Sequence, residues 1–136
     1  MSGVIDTENG YRVGVARMLA NGTLDGSFGT NGSVLINLGI DDWALPTLAM
    51  QPDGKILVGA DNNVGDPARV KVIRLLTDGT FDATFGTNGL RTFDFGGVSD
   101  FFWDVAVNPA GNRAAMVGVR GVAVPAADAG VSAAND

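Results

Sequence analysis

Two stretches carry nearly the same text: NGTLDGSFGTNG at residues 21–32 and DGTFDATFGTNG at residues 78–89. The second follows the first at an offset of 57 positions. A phrase repeated at a fixed distance indicates either a repeated binding site or a repeated unit of fold. The local chemistry of the phrase favours the fold unit.

Each copy of the phrase contains the parts of a sheet corner. An Asn-Gly or Asp-Gly pair provides the positive φ angles of a tight turn. An Asp a few residues later is expected to cap a single helical turn by accepting backbone N–H bonds, and a Phe after it is expected to point inward as an anchor. In the two copies these are Asn21-Gly22 and Asp78-Gly79, Asp25 and Asp82, and Phe28 and Phe85.

The repeat extends beyond the corner. RVGVARML at 12–19 aligns with RVKVIRLL at 69–76. Each unit is predicted to contain four short strands, because its apolar runs are bounded by Gly, Pro, Asn or Asp. The predicted strands are 11–19 and 69–76, 33–38 and 90–95, 46–51 and 103–108, and 55–60 and 113–119, the last pair with a small insertion. Ile56, Leu57 and Val58 are consecutive apolar residues, which predicts a strand covered on both faces.

These motifs resemble a known family. The DG turn, the L/F-D-x-x-F-G-x-x-G corner and the QPDGKI hairpin (residues 51–56) are similar to the bacterial delta-60 repeat. The resemblance implies an all-β fold of β-propeller blades: two four-stranded blade equivalents, a partial propeller, over residues 11–119. Residues 1–10 are then a lead-in and 120–136 a flexible tail. A two-sheet β-sandwich is the alternative fold.

The resemblance also bears on location and activity. It implies large, often surface-associated bacterial proteins without a common biochemical activity. An extracellular or cell-surface location is therefore expected from the resemblance alone. The first ten residues, MSGVIDTENG, lack the basic and apolar regions of a signal peptide.

Composition disfavours several classes of function. Fifteen acidic against nine basic residues give a formal net charge of -6, which disfavours nucleic acid and anionic membrane surfaces as partners. No apolar run approaches the roughly 20 residues of a membrane-spanning helix. The chain has no Cys and no His, so thiolate and imidazole chemistry is absent. No metal and no cofactor are predicted: the segment DNNVGD (61–66) offers oxygen ligands, but its spacing departs from a calcium loop.

The loops that do not repeat are the candidate binding surface. The loop GIDDWALP (39–46) aligns with the loop at 96–104, which contains GVSDFFWD. These two loops hold both tryptophans among carboxylates. Loops on one rim of a repeat array commonly bind, and aromatic side chains with acids suit a sugar or a cation. The candidate ligand-binding residues are Asp41, Asp42, Trp43, Asp100, Phe102 and Trp103. Equally, Trp43, Phe102 and Trp103 could pack between blades as core.

The predicted function is a non-catalytic structural or binding repeat module that presents loops for protein or glycan contact. The alternative is part of a glycan-active or other hydrolytic propeller enzyme, for which Asp41-Asp42 and Asp100 with Asp104 are the acid pairs available. No catalytic residue is assigned. Arg17 and Arg74 are predicted to pair with the corner carboxylates Asp25 and Asp82. On the propeller interpretation, the chain starts with the two outer strands of one blade and ends with the two inner strands of another. This predicts further repeats or self-association into a ring.

Overall fold

A computed structural model describes residues 1–62, 69–96 and 99–121 of the chain. Within these ranges every regular element is a β-strand, which confirms the all-β prediction. The nine strands are β1 (Ser2–Ile5), β2 (Arg12–Ala16), β3 (Ser33–Ile36), β4 (Thr47–Met50), β5 (Ile56–Asn62), β6 (Arg69–Leu75), β7 (Leu90–Phe93), β8 (Ser99–Val107) and β9 (Ala114–Gly121).

The described strands form three antiparallel sheets, each a meander in chain order. Sheet A contains β1-β2-β3, sheet B contains β4-β5-β6-β7, and sheet C contains β8-β9. The two-sheet sandwich is therefore not the fold. Eight of the strands are those predicted from the repeat. The ninth, β1, lies within residues 1–10, where no strand was predicted.

Strand β1 belongs to the same period as the rest. Ser2 pairs with Val15 on β2, as Gly59 pairs with Val72 on β6, and both members are shifted by 57 positions. The sequence does not indicate this repeat, because SGVI and GADN have no identical residue at aligned positions. Sheet A thus begins with three strands, and the expectation of two was wrong.

Sheet B is covered on both faces, as its consecutive apolar residues predicted. We call the face of a sheet that packs on the next sheet along the chain its downstream face, and the opposite one its upstream face. The downstream face of A packs on the upstream face of B, and the downstream face of B packs on sheet C. The first core includes Val13, Val15 and Ile36 of sheet A with Ile56, Val58 and Ile73 of sheet B. The second includes Leu57, Val70 and Val72 of sheet B with Phe102 and Val105 of sheet C.

The second core contains a close approach that requires glycine. A Cβ built on Gly59 of β5 would lie 2.4 Å from the ring atoms Cε1 and Cζ of Phe102. The aromatic ring therefore rests directly on the backbone of sheet B. This contact fixes how β8 sits against β5.

The two corners have the same backbone, and they are β-turns rather than helical turns. Asn31 and Asn88 adopt φ angles of 52° and 51°. In the first corner the Phe28 N–H donates to the Asp25 carbonyl at 3.0 Å, and the Ser27 N–H donates to Asp25 Oδ1 at 3.0 Å. The Asp side chain thus accepts a backbone N–H, as predicted, but it does so in a β-turn and not in the helical turn that the sequence predicted.

The corner phenylalanines differ in burial. Phe28 is fully buried in the first core, whereas Phe85 is only partly buried at the margin of the second. Phe28 lies beneath the four-stranded sheet B, while Phe85 lies beside a sheet with two described strands. Both phenylalanines pack against a core, as predicted, but Phe85 is buried less deeply.

The last hairpin is longer than its counterpart. The Gln51 N–H donates to the Lys55 carbonyl across the β4–β5 turn, while the Asn108 N–H donates to the Arg113 carbonyl across the β8–β9 turn. The one-residue insertion of the repeat lies in this turn. Of the predicted tail, Arg120 and Gly121 complete β9, and residues 122–136 lie outside the described ranges.

Candidate functional site

The two non-repeating segments meet in a cleft of about 180 Å³. Its lining residues come from the segment between β3 and β4, from β5 and from β8. We call this site the aromatic cleft; it is lined by Trp43, Leu45, Asp61, Phe101, Phe102 and Trp103.

Trp43 is presented by a segment that is anchored on either side of it. Ile40 and Ala44 are buried in the first core. Between them the Trp43 N–H donates to Asp41 Oδ1 at 3.0 Å, which forms a local turn. The indole remains 80% exposed. The backbone is therefore held while the side chain faces solvent.

Trp103 is placed by a β-bulge in β8. Phe102 pairs with Gly118 and Asp104 pairs with Val117, so Trp103 is the extra residue without a partner across the ladder. A bulge bends the strand and re-aims the side chain at that position. Trp103 is 60% exposed, whereas its neighbour Phe102 is 2% exposed. The tryptophans are thus surface groups, while Phe102 packs in the second core, as the alternative interpretation predicted for it.

Asp61 brings a carboxylate to the aromatic cleft. It pairs with Val70 on β6 and follows Gly59 by two residues, so it shares the downstream face on which Phe102 rests. The residue is buried. The sequence had suggested Asp61 only as a calcium ligand with Asn63 and Asp66, which lie outside the described residues. The strand alternation from Gly59 is the signal that places it on this face.

Three of the predicted ligand-binding carboxylates lie away from the cleft. Asp42, with Asp6 and Asp41, stands near Tyr11, where these negative charges raise the pKa of the phenol. Asp100 is fully buried, and its Oδ2 accepts a hydrogen bond of 2.7 Å from the Phe95 N–H. Of the six candidates, the structure brings together Trp43, Phe102 and Trp103.

The predicted arginine–carboxylate pairs form at both corners. Arg17 Nε lies 2.8 Å from Asp25 Oδ2, and Arg74 Nε lies 2.9 Å from Asp82 Oδ2. Lys55 Nζ adds a second cation 3.2 Å from Asp82. These arginines therefore stabilise the corners.

Hydrogen bonds also affect the acidity of the corner carboxylates. The Thr84 hydroxyl and backbone N–H, together with Lys55 and Arg74, hold the pKa of Asp82 well below its usual range. The hydroxyl and N–H of Ser27, then Arg17, lower the pKa of Asp25. Both corners therefore carry ionised carboxylates at neutral pH.

The described residues offer neither a metal-binding cluster nor a membrane-spanning helix. They contain no group of three or more Asp or Glu side chains arranged to hold a metal ion. None of their elements is a helix long and apolar enough to cross a membrane.

Residues 51–85 match the family described as Domain of unknown function (DUF5122) beta-propeller. The fold is of the β-propeller type. The matched stretch runs from the hairpin turn before β5, along β6, to Phe85 of the second corner. Sheet B, with four antiparallel strands in chain order, has the form of a propeller blade. Sheets A and C repeat parts of this blade. Comparisons with curated proteins and with solved structures give no match.

Proposed function

We propose that the chain is a non-catalytic binding module of a β-propeller-type repeat protein, and that its aromatic cleft binds glycan. The observation that carries the proposal is the pair of exposed tryptophans, Trp43 and Trp103, which line one cleft together with Asp61. The cell-surface location implied by the delta-60 resemblance is part of the proposal.

The chemistry of the aromatic cleft supports a sugar ligand. Flat indole rings offer apolar faces to the C–H faces of a sugar, while a carboxylate accepts hydrogen bonds from its hydroxyls. The cleft, at about 180 Å³, is smaller than the roughly 300–1,000 Å³ of small-molecule pockets. This size favours a ligand that lies along the surface and contributes one ring to the cleft.

The arrangement of acids supports binding without turnover. Glycoside hydrolysis commonly uses two carboxylates flanking the scissile bond. Among the described residues that line the cleft, Asp61 is the one carboxylate. Asp100 and Asp104, the pair considered for an enzyme, do not line it.

Glycan-array binding tests the proposal. The 136-residue chain is expected to bind a subset of glycans, and Trp43→Ala and Trp103→Ala are each expected to weaken that binding by about tenfold, the loss of one aromatic contact. Met50→Ala, which truncates an exposed apolar side chain outside the cleft, is the matched control and should bind as the wild type. Absence of glycan binding by the wild type would refute the proposal, and release of reducing sugar from a bound glycan would favour the hydrolytic alternative.

A further inference from the structure

The upstream face of sheet A is an open apolar hollow. Gly3 of β1 and Gly14 of β2 pair across the ladder and form its floor. A Cβ on Gly3 would meet no atom within 4 Å, whereas the Ile5 side chain lies over Gly14. Ile5 and the 59% exposed Leu35 of β3 border this floor. The hollow has a volume of about 270 Å³ and an almost wholly apolar lining.

The repeat shows what this face does when it is covered. Leu75 of β6 and Met18 occupy equivalent positions, 57 residues apart. Leu75 lies in the first core, covered by sheet A, and has 0% exposure. Met18 is 55% exposed. The same position is thus buried in one copy of the repeat and open in the other.

The downstream face of sheet C is open and largely apolar, with the exposed Asp104 opposite Val117; we call it the ridge. The ridge carries three exposed large apolar residues, Val117 and Val119 of β9 and Phe101 of β8. Phe101 also lines the aromatic cleft. Phe101 pairs with Val119 across the ladder, which places them side by side on one face. Large exposed patches of this kind mark interaction sites.

We propose that the ridge of one copy of this chain docks in the hollow of a second copy, head to tail. Twice within the chain a downstream face packs on the upstream face of the next sheet. The two open faces are one of each kind, so a second copy continues the stacking already present. The open space above Gly3 leaves room in the hollow for the valine side chains of the ridge.

The geometry makes this contact heterologous. One face cannot pair with itself, so each copy uses the hollow at one end and the ridge at the other. Each copy carries a formal net charge of -6, and the like charges oppose association. Added salt screens that repulsion and is expected to strengthen the contact.

Two charge substitutions test the docking. Leu35→Glu places a charge in the hollow, and Val117→Glu places one on the ridge. Sedimentation of the wild-type chain from micromolar to submillimolar concentration is expected to show a mass that rises with concentration and with salt. Each variant alone should remain monomeric, while Met50→Glu, the matched control away from both faces, should associate as the wild type.

Mixing the two variants is the decisive measurement. Leu35→Glu keeps an intact ridge and Val117→Glu keeps an intact hollow, so an equimolar mixture is expected to form a one-to-one dimer and nothing larger. Formation of that dimer also shows that both variants are folded. A wild type that stays monomeric throughout, variants that associate as the wild type does, or a mixture without a complex would each overturn the proposal.

Discussion

At the residue scale, equivalent positions in the repeat differ in burial and are expected to contribute differently to the free energy of unfolding. Phe28 is fully buried and Phe85 partly buried, although both corners have the same backbone. Phe28→Ala is expected to lower the free energy of unfolding by about 3–5 kcal/mol, and Phe85→Ala by about 1–2 kcal/mol. Urea denaturation measures both, and equal losses at the two positions would contradict the difference in burial.

Gly59 is the residue on which the contact between sheets B and C depends. Gly59→Ala is expected to lower the free energy of unfolding by about 1–3 kcal/mol, because the new methyl group overlaps the Phe102 ring. Gly3→Ala is the matched control in another strand, since a Cβ there meets no atom within 4 Å. Similar losses in the two variants would indicate a general glycine effect instead of a packing contact.

The second corner predicts a dependence of stability on pH. Because the folded pKa of Asp82 is depressed, its stabilising contribution is complete above the unfolded value of about 3.9 and is lost as the pH falls through the folded pKa. Asp82→Asn and Thr84→Ala are both expected to flatten the fall in unfolding free energy below about pH 4. Curves parallel to the wild type in acid titrations would argue against this role for Asp82.

Residue patterns explain which members of the aromatic cleft could be foreseen. Trp43 and Trp103 stood out because their loops differ between the two units. Asp61 is implied by strand alternation from Gly59. The orientation of Trp103 depends on the bulge opposite Gly118 and Val117, and no residue type in the sequence specifies that bulge.

At the element scale, turn chemistry predicted the strands well and their ends less well. Pro46 precedes β4, which begins at Thr47, because proline cannot donate to the ladder. The equivalent residue in the next unit is Trp103, and there β8 continues back to Ser99. Trp103 has no ladder partner either, and β8 continues past it through the bulge, whereas the chain before Thr47 turns at residues 41–43. Strand β1 was missed because its register follows the repeat while its residues do not.

Strand β1 has one face on the first core and one face on the hollow. Val4 packs against the core, and Ile5 borders the hollow. Val4→Asp is expected to lower the free energy of unfolding by about 2–3 kcal/mol, because it puts a charge against apolar side chains. Ile5→Asp, its neighbour on the other face, should cost less than about 1 kcal/mol. Denaturation of dilute samples compares them, and a reversed order would mean that β1 faces the other way.

At the scale of the whole molecule, sheet B contributes to both cores. The repeat predicted this sharing through the consecutive residues Ile56, Leu57 and Val58. The packing of neighbouring sheets follows from the same pattern, since a strand that is apolar on both sides needs a partner on each. The sequence did not reveal how burial differs between the first and second cores, because that depends on how many strands cover each one.

Sharing of sheet B predicts cooperative unfolding. Neither core can persist once sheet B is lost, so the described sheets should unfold in one transition. Val58→Ala removes apolar side-chain volume from the first core, and Val72→Ala removes it from the second. Each substitution is expected to lower the free energy of unfolding by about 1–3 kcal/mol while unfolding remains a single transition. Far-UV circular dichroism follows all the sheets, whereas tryptophan fluorescence reports on Trp43 and Trp103 at the aromatic cleft. Coincident midpoints from the two probes in both variants are the expected result; a fluorescence transition that moves alone in Val72→Ala would show that sheet C unfolds separately from sheet B.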